Sequence, residues 1–373
     1  MREISFQKAL EEAVAEEMRR DPRVITMATD FTGDPHKEFG PARVRFTPIS
    51  ESVLTGMGLG AAGCGIRPIV HWRMVTFSFV AMDQIVNQAS KIRYMFGGQA
   101  DFPVTYRCTT GGGIGLGAAG SGFRPVVNWG MVTFSFVAMD QIVNQASKIR
   151  YMFGGQADFP VTFRCTTGGG IQLAAQHSQS PYSMFMHLAG LKIVLPSTPA
   201  DAKGLLKSAI RDNNPVVFFE CSRLAGVTGP VPDGDHTVPI GVAEVKRAGG
   251  DVTVVGLAYY VREALAVAES LANEGISVEV LDPRTLVPMD AAAIRASVRR
   301  TGRLVVVDEA PATCSAASEI IALVTEDPAT FRALKSPVQR VCAAPVPVPY
   351  SPSLEQAALP DRAAIEAAIR RVL

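Results

Sequence analysis

Two residues invite proton chemistry, Glu51 and His177, and they stand at either end of a stretch of sequence written twice. Glu51 closes the tetrapeptide PISE (48–51) and opens a run of small residues, SVLTGMGLGAAGCG, suited to a closely packed helix. The plain reading of such an acid is a helix N-terminal residue, favourable to the helix dipole. His177 sits in QHSQS (176–180). Histidine exchanges protons near neutral pH and can serve as a general acid. Gln176, Ser178 and Gln179 would equally satisfy it in a purely structural role. Phe77 and Phe134 occupy equivalent positions of the two copies, and either aromatic ring can stack on a ligand or simply fill core. Ala209, Ile210, Asp212 and Asn214 belong to an Asn-rich turn before Pro215. The Gly-rich segments CTTGGG at 108–113 and 165–170 lack the lysine of a phosphate-binding loop. The six cysteines are scattered without a CxxC pair, which speaks for reduced thiols and a cytoplasmic setting rather than a disulfide or zinc framework.

The elements that must position these residues follow from pattern. Residues 58–114 are followed at once by 115–171, a 57-residue unit repeated with six differences: Cys64/Ser121, Ile66/Phe123, Ile69/Val126, His71/Asn128, Arg73/Gly130 and Tyr106/Phe163. Solenoids carry three or more diverged units with atypical caps, so two near-identical units read as a recent in-frame duplication or an error in assembling the sequence. RPIV in copy one and RPVV in copy two begin a strand, and in each unit VAMDQIVNQASKIRYMF has a helical period and FPVT begins another strand. Upstream, residues 5–20 have the period of an amphipathic helix and RVITMAT (23–29) that of a buried strand. Downstream come the strand LKIVLP, the helix DAKGLLKSAIRDN and the strand PVVFFE. A segment rich in Pro, Gly and Asp at 226–241 reads as a linker, beyond which strands and helices alternate again to a final amphipathic helix, DRAAIEAAIRRVL. Such alternation predicts an α/β protein of two doubly wound, mostly parallel sheets: a domain over 1–225 containing the repeat, and a second over 242–373. A net charge of +1 without a basic block argues against nucleic acid. No apolar run has the length of a membrane span, and the Glu-rich start lacks an export signal.

Several motifs together carry a family resemblance: PISE at 48–51, QHSQS at 176–180, DAKGLLKSAIRDNNPVVFFE at 201–220, LDPRTLVPMD at 281–290 and PYSPSLEQAALP near the end. In this order they resemble the β subunit of the thiamine-diphosphate-dependent decarboxylating component of 2-oxo acid dehydrogenase complexes, the pyruvate, branched-chain and acetoin enzymes, with a transketolase-like fold. The resemblance covers essentially the whole chain. It implies a pyrimidine-binding domain for thiamine diphosphate and a C-terminal domain serving assembly. Glu51 matches the glutamate that shifts the aminopyrimidine toward its imino form, and Phe77 or Phe134 the aromatic stacked on that ring. His177 matches the histidine that supports acyl transfer to a lipoyl group. Ala209, Ile210, Asp212 and Asn214 match a loop that binds potassium in some relatives. The Mg2+ ligands in this family lie in a Gly-Asp-Gly stretch of an α subunit. The near match Asp233-Gly234-Asp235 lies in the linker, so a partner must complete the site. The implied assembly is a heterotetramer with α subunits and a second β subunit, served by a dihydrolipoyl acyltransferase through its lipoyl domain. YSMFMH after QHSQSP resembles acetoin- or pyruvate-type enzymes more than branched-chain ones. The alternative is a non-catalytic structural subunit, inactivated by its duplication.

The duplication is the one departure from the family pattern. Glu51 and His177 are 126 positions apart, and 126 − 57 = 69 is the spacing such a subunit should have. A parallel sheet has a fixed strand order, which predicts one unit's worth of chain inside the sheet and one outside it, as a peripheral or disordered lobe. Copy one is expected at the start, through Cys64, Ile66 and Arg73. Arg73/Gly130 is expected to matter most of the six differences, because glycine frees the backbone leading to Phe77 or Phe134.

Overall fold

The computed structural model describes Ala15, 18–28, 37–46, 50–74, Ala81, 83–89, Met95, 103–109, Leu116, 119–120, 124–156 and 158–373. These fall in two compact units, Met1–Gly111 and Gly112–Leu373.

The first unit is built on a four-stranded, wholly parallel sheet of β1 (Val24–Ala28), β2 (Val44–Phe46), β3 (Arg67–Met74) and β4 (Thr105–Thr109), in the order β2-β1-β3-β4. Beside it runs the helix Glu51–Gly63. Leu54 from this helix is buried with Ile25, Met27 and Val70 from the strands. The small-residue run makes this packing possible, since a Cβ at Gly58 would collide with the Val70 side chain.

The second unit holds two sheets. One is β12-β7-β8-β6-β5, made of β5 (Val126–Met131), β6 (Thr162–Thr167), β7 (Lys192–Val194), β8 (Val216–Cys221) and, antiparallel on β7, β12 (Thr285–Val287). The other is β14-β13-β10-β11-β9, made of β9 (Glu244–Arg247), β10 (Val252–Gly256), β11 (Val278–Asp282), β13 (Leu304–Pro311) and β14 (Gln339–Ala343). Here β10 and β11 are buried along their whole length, as expected of parallel strands covered on both faces. Val252, Val254, Val305 and Val307 face one layer, with helices Tyr259–Ala272 and Arg362–Val372. Val255, Leu304 and Val306 face the other, with Ile294 and Val298 of helix Ala291–Thr301 and Ile320 and Val324 of helix Ala316–Thr325. The alternation along each strand thus assigns its helices to two sides.

The expected excursion of one copy is not what the described residues do. Both copies are built into sheets. In copy one, Ile69, Val70 and His71 pair with Thr105, Tyr106 and Arg107, and a register shift precedes the pair Met74–Thr109. In copy two, Val126, Val127 and Asn128 pair with Thr162, Phe163 and Arg164, and the shift precedes Met131–Thr166. Every one of these pairs is the other displaced by 57 residues. The physical reason is that a strand–helix–strand unit carries its own parallel pairing. Each copy therefore forms it and takes the neighbour at hand, β1 for β3 and β8 for β6. Setting β5 on β3 and β6 on β4 would merge the two orders into one, β2-β1-β3-β4-β8-β7-β12. That merged order would be a single sheet of seven strands, where the described residues form separate sheets of four and five.

The expected helix of the repeat, in copy two, winds unevenly. Val132–Ala138 is a 3-10 segment, Gln141–Ala146 is π-wound and only Ser147–Met152 is regular α-helix. Hydroxyls compete for its carbonyls, Ser135 Oγ donating to Val132 O at 2.6 Å and Ser147 Oγ to Val143 O at 2.5 Å.

Candidate functional site

His177 ends a short helix, Ala174–His177, in the loop between β6 and β7. Its Nδ1 lies 3.2 Å from Thr133 Oγ1, and its ring meets the Phe134 ring edge-on at 5.3 Å between centroids. Thr133 and Phe134 follow directly on β5, so copy two brings two of its residues to the histidine. The approach is shaped by two of the six variable positions. Gly130 takes a left-handed φ of +66°, and its N–H donates to Asn128 Oδ1 at 2.9 Å. Copy one has Arg73 and His71 there. Glu51 opens the helix Glu51–Gly63 of the other unit, behind the N-cap Ser50. Phe77 lies outside the described residues.

The loop carrying His177 is held at its feet and from above. Gly168 N and Thr167 Oγ1 both donate to Gln179 O, at 3.0 and 2.9 Å, joining entry to exit. Four residues within it are left-handed: Gly168, Gly170, Gln172 and Ala174. Gly169 N donates to Glu309 Oε1 at 2.5 Å, and Ser180 Oγ reaches the same oxygen at 3.4 Å. Gly170 N donates to Glu355 Oε1 at 2.8 Å, and Gln172 N to Glu355 Oε2 at 3.0 Å. The amides of this Gly-rich turn are therefore filled by the Gln179 carbonyl and the Glu309 and Glu355 carboxylates and are not an open phosphate cradle. Glu309 is in turn neutralised by Arg223, 2.6 Å away, whose guanidinium lies 4.0 Å from the Tyr259 ring centroid. A cavity of about 570 Å³ borders the loop, lined by Gln176, Ser178, Gln179, Glu309 and Val348 among others. Cys165 in β6 and Cys221 at the end of β8 are buried. Burial raises the Cys165 thiol well above its ordinary value and pushes Cys221 up to about 12.

The Asn-rich turn is occupied by cationic side chains. Arg124 Nη1 donates to Ile210 O at 3.1 Å and Asp212 O at 2.9 Å, while Nη2 donates to Asn213 Oδ1 at 2.5 Å. Ala209 O accepts from Asp212 N at 3.2 Å, and Asn214 Oδ1 from Arg150 Nη1 at 2.7 Å. Lys192 pairs with the Asp212 carboxylate. Burial opposes that charge, but Lys192 and Asn214 outweigh it and hold the carboxyl below its ordinary value. A guanidinium on two of the carbonyls that potassium would need does not fit that ion. Asp235, of the near match for a magnesium turn, is paired with Arg211 at 2.5 Å and with Lys207. Among the described residues no cluster of three or more His, Cys, Asp or Glu could hold a metal.

Thr133, Glu309, Glu355 and Arg223 were not singled out by sequence. Thr133 precedes a candidate aromatic and Glu355 lies inside the motif SLEQAALP, so both had a signal. Glu309 and Arg223 had none beyond their charge.

Comparison with known proteins shows the family and the fold. The family model "Transketolase, pyrimidine binding domain" matches twice, over residues 2–115 and 110–226, and "Transketolase, C-terminal domain" matches 241–365. The chain is 39% identical to the β subunit of acetoin:2,6-dichlorophenolindophenol oxidoreductase of Cupriavidus necator, over 100% of this chain and 98% of that protein. It is 35% identical to the mitochondrial pyruvate dehydrogenase E1 component subunit beta-1 of Arabidopsis thaliana, over 96% and 86%. To the 2-oxoisovalerate dehydrogenase subunit beta of Bacillus subtilis it is 34% identical, over 99% and 98%. Among solved structures, a split-gene transketolase, an inactive β4 tetramer, shares the fold with a TM-score of 0.52 at 19% identity, covering 98% of this chain and 97% of that one.

Proposed function

The chain belongs to the transketolase-like β subunits of thiamine-diphosphate-dependent 2-oxo acid and acetoin dehydrogenases, and from that premise we propose that, joined to an α subunit, it cleaves acetoin or decarboxylates a 2-oxo acid and passes the acyl group to lipoamide. The observation that supports the reading most is the meeting of His177 with Thr133 and Phe134 on the QHSQS loop. The acetoin assignment draws on the activity for which the Cupriavidus relative is named.

Thiamine diphosphate, when bound, would supply the nucleophilic carbon that attacks the substrate carbonyl. The chain's own residues would prepare and serve that carbon. Glu51 would hold a proton at the ring nitrogen of the aminopyrimidine. Phe134 would offer an aromatic surface to the same ring, and it fits that role in being only partly buried. His177, its Nδ1 anchored by Thr133, would present the opposite nitrogen to the acyl acceptor and move a proton there. Magnesium for the diphosphate would come with the α subunit, as would part of the substrate pocket. A second β subunit and the lipoyl-bearing acyltransferase complete the proposed assembly.

One observation favours the second reading, a non-catalytic subunit. Glu51 follows β2 in one sheet and His177 follows β6 in another, where the family's single sheet would carry both. Reconstitution with the α subunit decides between them. Glu51→Gln is expected to abolish nearly all turnover with assembly intact. His177→Ala is expected to lower lipoamide acylation while sparing reduction of an artificial electron acceptor. Should Glu51→Gln retain more than about a tenth of the activity, only about 1.4 kcal/mol of barrier, the catalytic assignment fails.

A further inference from the structure

The C-terminal region does more than pack. Two of its carboxylates, Glu309 at the end of β13 and Glu355 in the helix Pro352–Ala358, reach the backbone of the loop that carries His177. Both are buried, at 8% and 3% exposure. Glu309 accepts from Gly169 N near the entry foot and lies within reach of Ser180 Oγ at the exit foot. Glu355 takes the N–H groups of Gly170 and Gln172, two of the four left-handed residues. Gln172 and Ala174 carry side chains yet hold φ of +61° and +58°, a region that L residues rarely occupy unless their surroundings fix it. Ala174 opens the short helix whose last residue is His177.

Resting on the reading of His177 as the group that serves acyl transfer, we propose that Glu355 and Glu309 are positioning residues for it: they hold 168–180 in the left-handed path that sets His177 against Thr133 and Phe134. Glu309 is fixed by Arg223 at its other oxygen, so its substitution would also take the carboxylate from a partly buried guanidinium. Glu355 has no ion pair among the described residues and is the cleaner probe.

The test uses the full chain, with its α subunit for the activity arm. Glu355→Ala and Glu355→Gln are compared by hydrogen exchange over 168–180 and by the ratio of lipoamide to artificial-acceptor activity. Glu355→Ala, which removes the acceptor for both Gly170 N–H and Gln172 N–H, is expected to speed exchange about tenfold and lower the ratio about tenfold. Glu355→Gln, which keeps one acceptor, should fall between. Unchanged exchange in Glu355→Ala overturns the proposal. So does faster exchange with an unchanged ratio while His177→Ala still lowers that ratio. If His177→Ala leaves the ratio unchanged, the proposal falls with its premise, and the loosened loop in Glu355→Ala identifies that premise as what failed.

Discussion

The two copies of the repeat are an internal experiment in what sequence fixes and what surroundings fix. Copy one and copy two make the same parallel strand pair, in one register, with the irregularity at the same place. Their positions in the sheets differ. β3 is an inner strand between β1 and β4, whereas its counterpart β5 is an edge. β4 is an edge, whereas its counterpart β6 is inner, between β5 and β8. Val70 and Val127 are buried in both settings, at 0% and 1% exposure, because they face the layer packed on the sheet and not the neighbouring strand. Pairing within the unit is therefore local, and what lies beside it is context. Among the described residues, copy two, flanked by β8 and the QHSQS loop, brings Thr133 and Phe134 to His177.

The sharpest way to break the comparison is to remove one member. Deleting 115–171 or 58–114 leaves the strand order β2-β1-β3-β4-β8-β7-β12 in either case, with Glu51 and His177 on one sheet. Both shortened chains are expected to assemble with the α subunit and to exceed the full chain in turnover by about a hundredfold, the cost of misplacing catalytic groups. If neither folds, the two half-sheets are structural necessities and the merged order is wrong.

A second prediction concerns stability, and singles out the unit containing copy two. Asp308 accepts from the Tyr182 hydroxyl, from Ala310 N at 2.9 Å and from Ala317 N at 3.1 Å. Burial nonetheless pushes its carboxyl up to about 6, the hydrogen bonds only partly offsetting it. A folded pKa above the unfolded one means that stability is full below about pH 4 and declines as pH rises through about 6. The decline attributable to this group is on the order of 3 kcal/mol. Denaturant midpoints between pH 4 and pH 7 should fall for the parent and fall less for Asp308→Asn. An unchanged slope would remove Asp308 as its source.

Smaller effects sharpen the contrast between equivalent residues. Phe134→Ala is expected to lower turnover about tenfold or more through the lost ring contact, and Phe77→Ala to leave it within about twofold. Equal losses would mean that both copies serve the site. Smallest is the exchange of variable residues. Gly130→Arg installs copy one's residue at a left-handed position and should cost about 1 kcal/mol in a thermal or denaturant melt. No measurable shift would show that the turn before Phe134 does not need glycine.

Much of this was legible from the chain. The alternation of strands and helices, the repeat and its 57-residue offset gave the α/β fold, and the motif set gave the family. Gly130 could be marked because its chemistry is local, and it stands in the turn that leads to Phe134. The division of the sheet was not legible, since it depends on which copy each outer strand pairs with, and the two copies offer the same edges. The uneven winding of 132–152 was hidden because a 3.6-residue period does not report hydroxyls bonding back to carbonyls. Glu309 lies 140 residues from Gly169, and Arg124 lies 88 from Asp212. Charged residues at such separations carry no pattern until the fold brings them together. Among the described residues no helix is long and apolar enough to cross a membrane.

The separation of the two sheets also bears on folding during synthesis, since a ribosome releases the chain from its N-terminus. From the end of β1 to the start of β3 is 67 − 28 = 39 residues, and to β5 it is 126 − 28 = 98. From the end of β6 to the start of β8 is 216 − 167 = 49 residues, and from β4 it is 216 − 109 = 107. Each outer strand has thus closed the shorter of two loops, a preference of about 0.7–0.8 kcal/mol at each join. Synthesis adds to it, for β1 meets β3 before β5 has been made, and β8 emerges with β6 as its nearer neighbour. A merged sheet would require one of these early pairings to be undone, so the two half-sheets are the arrangement that vectorial folding reaches first.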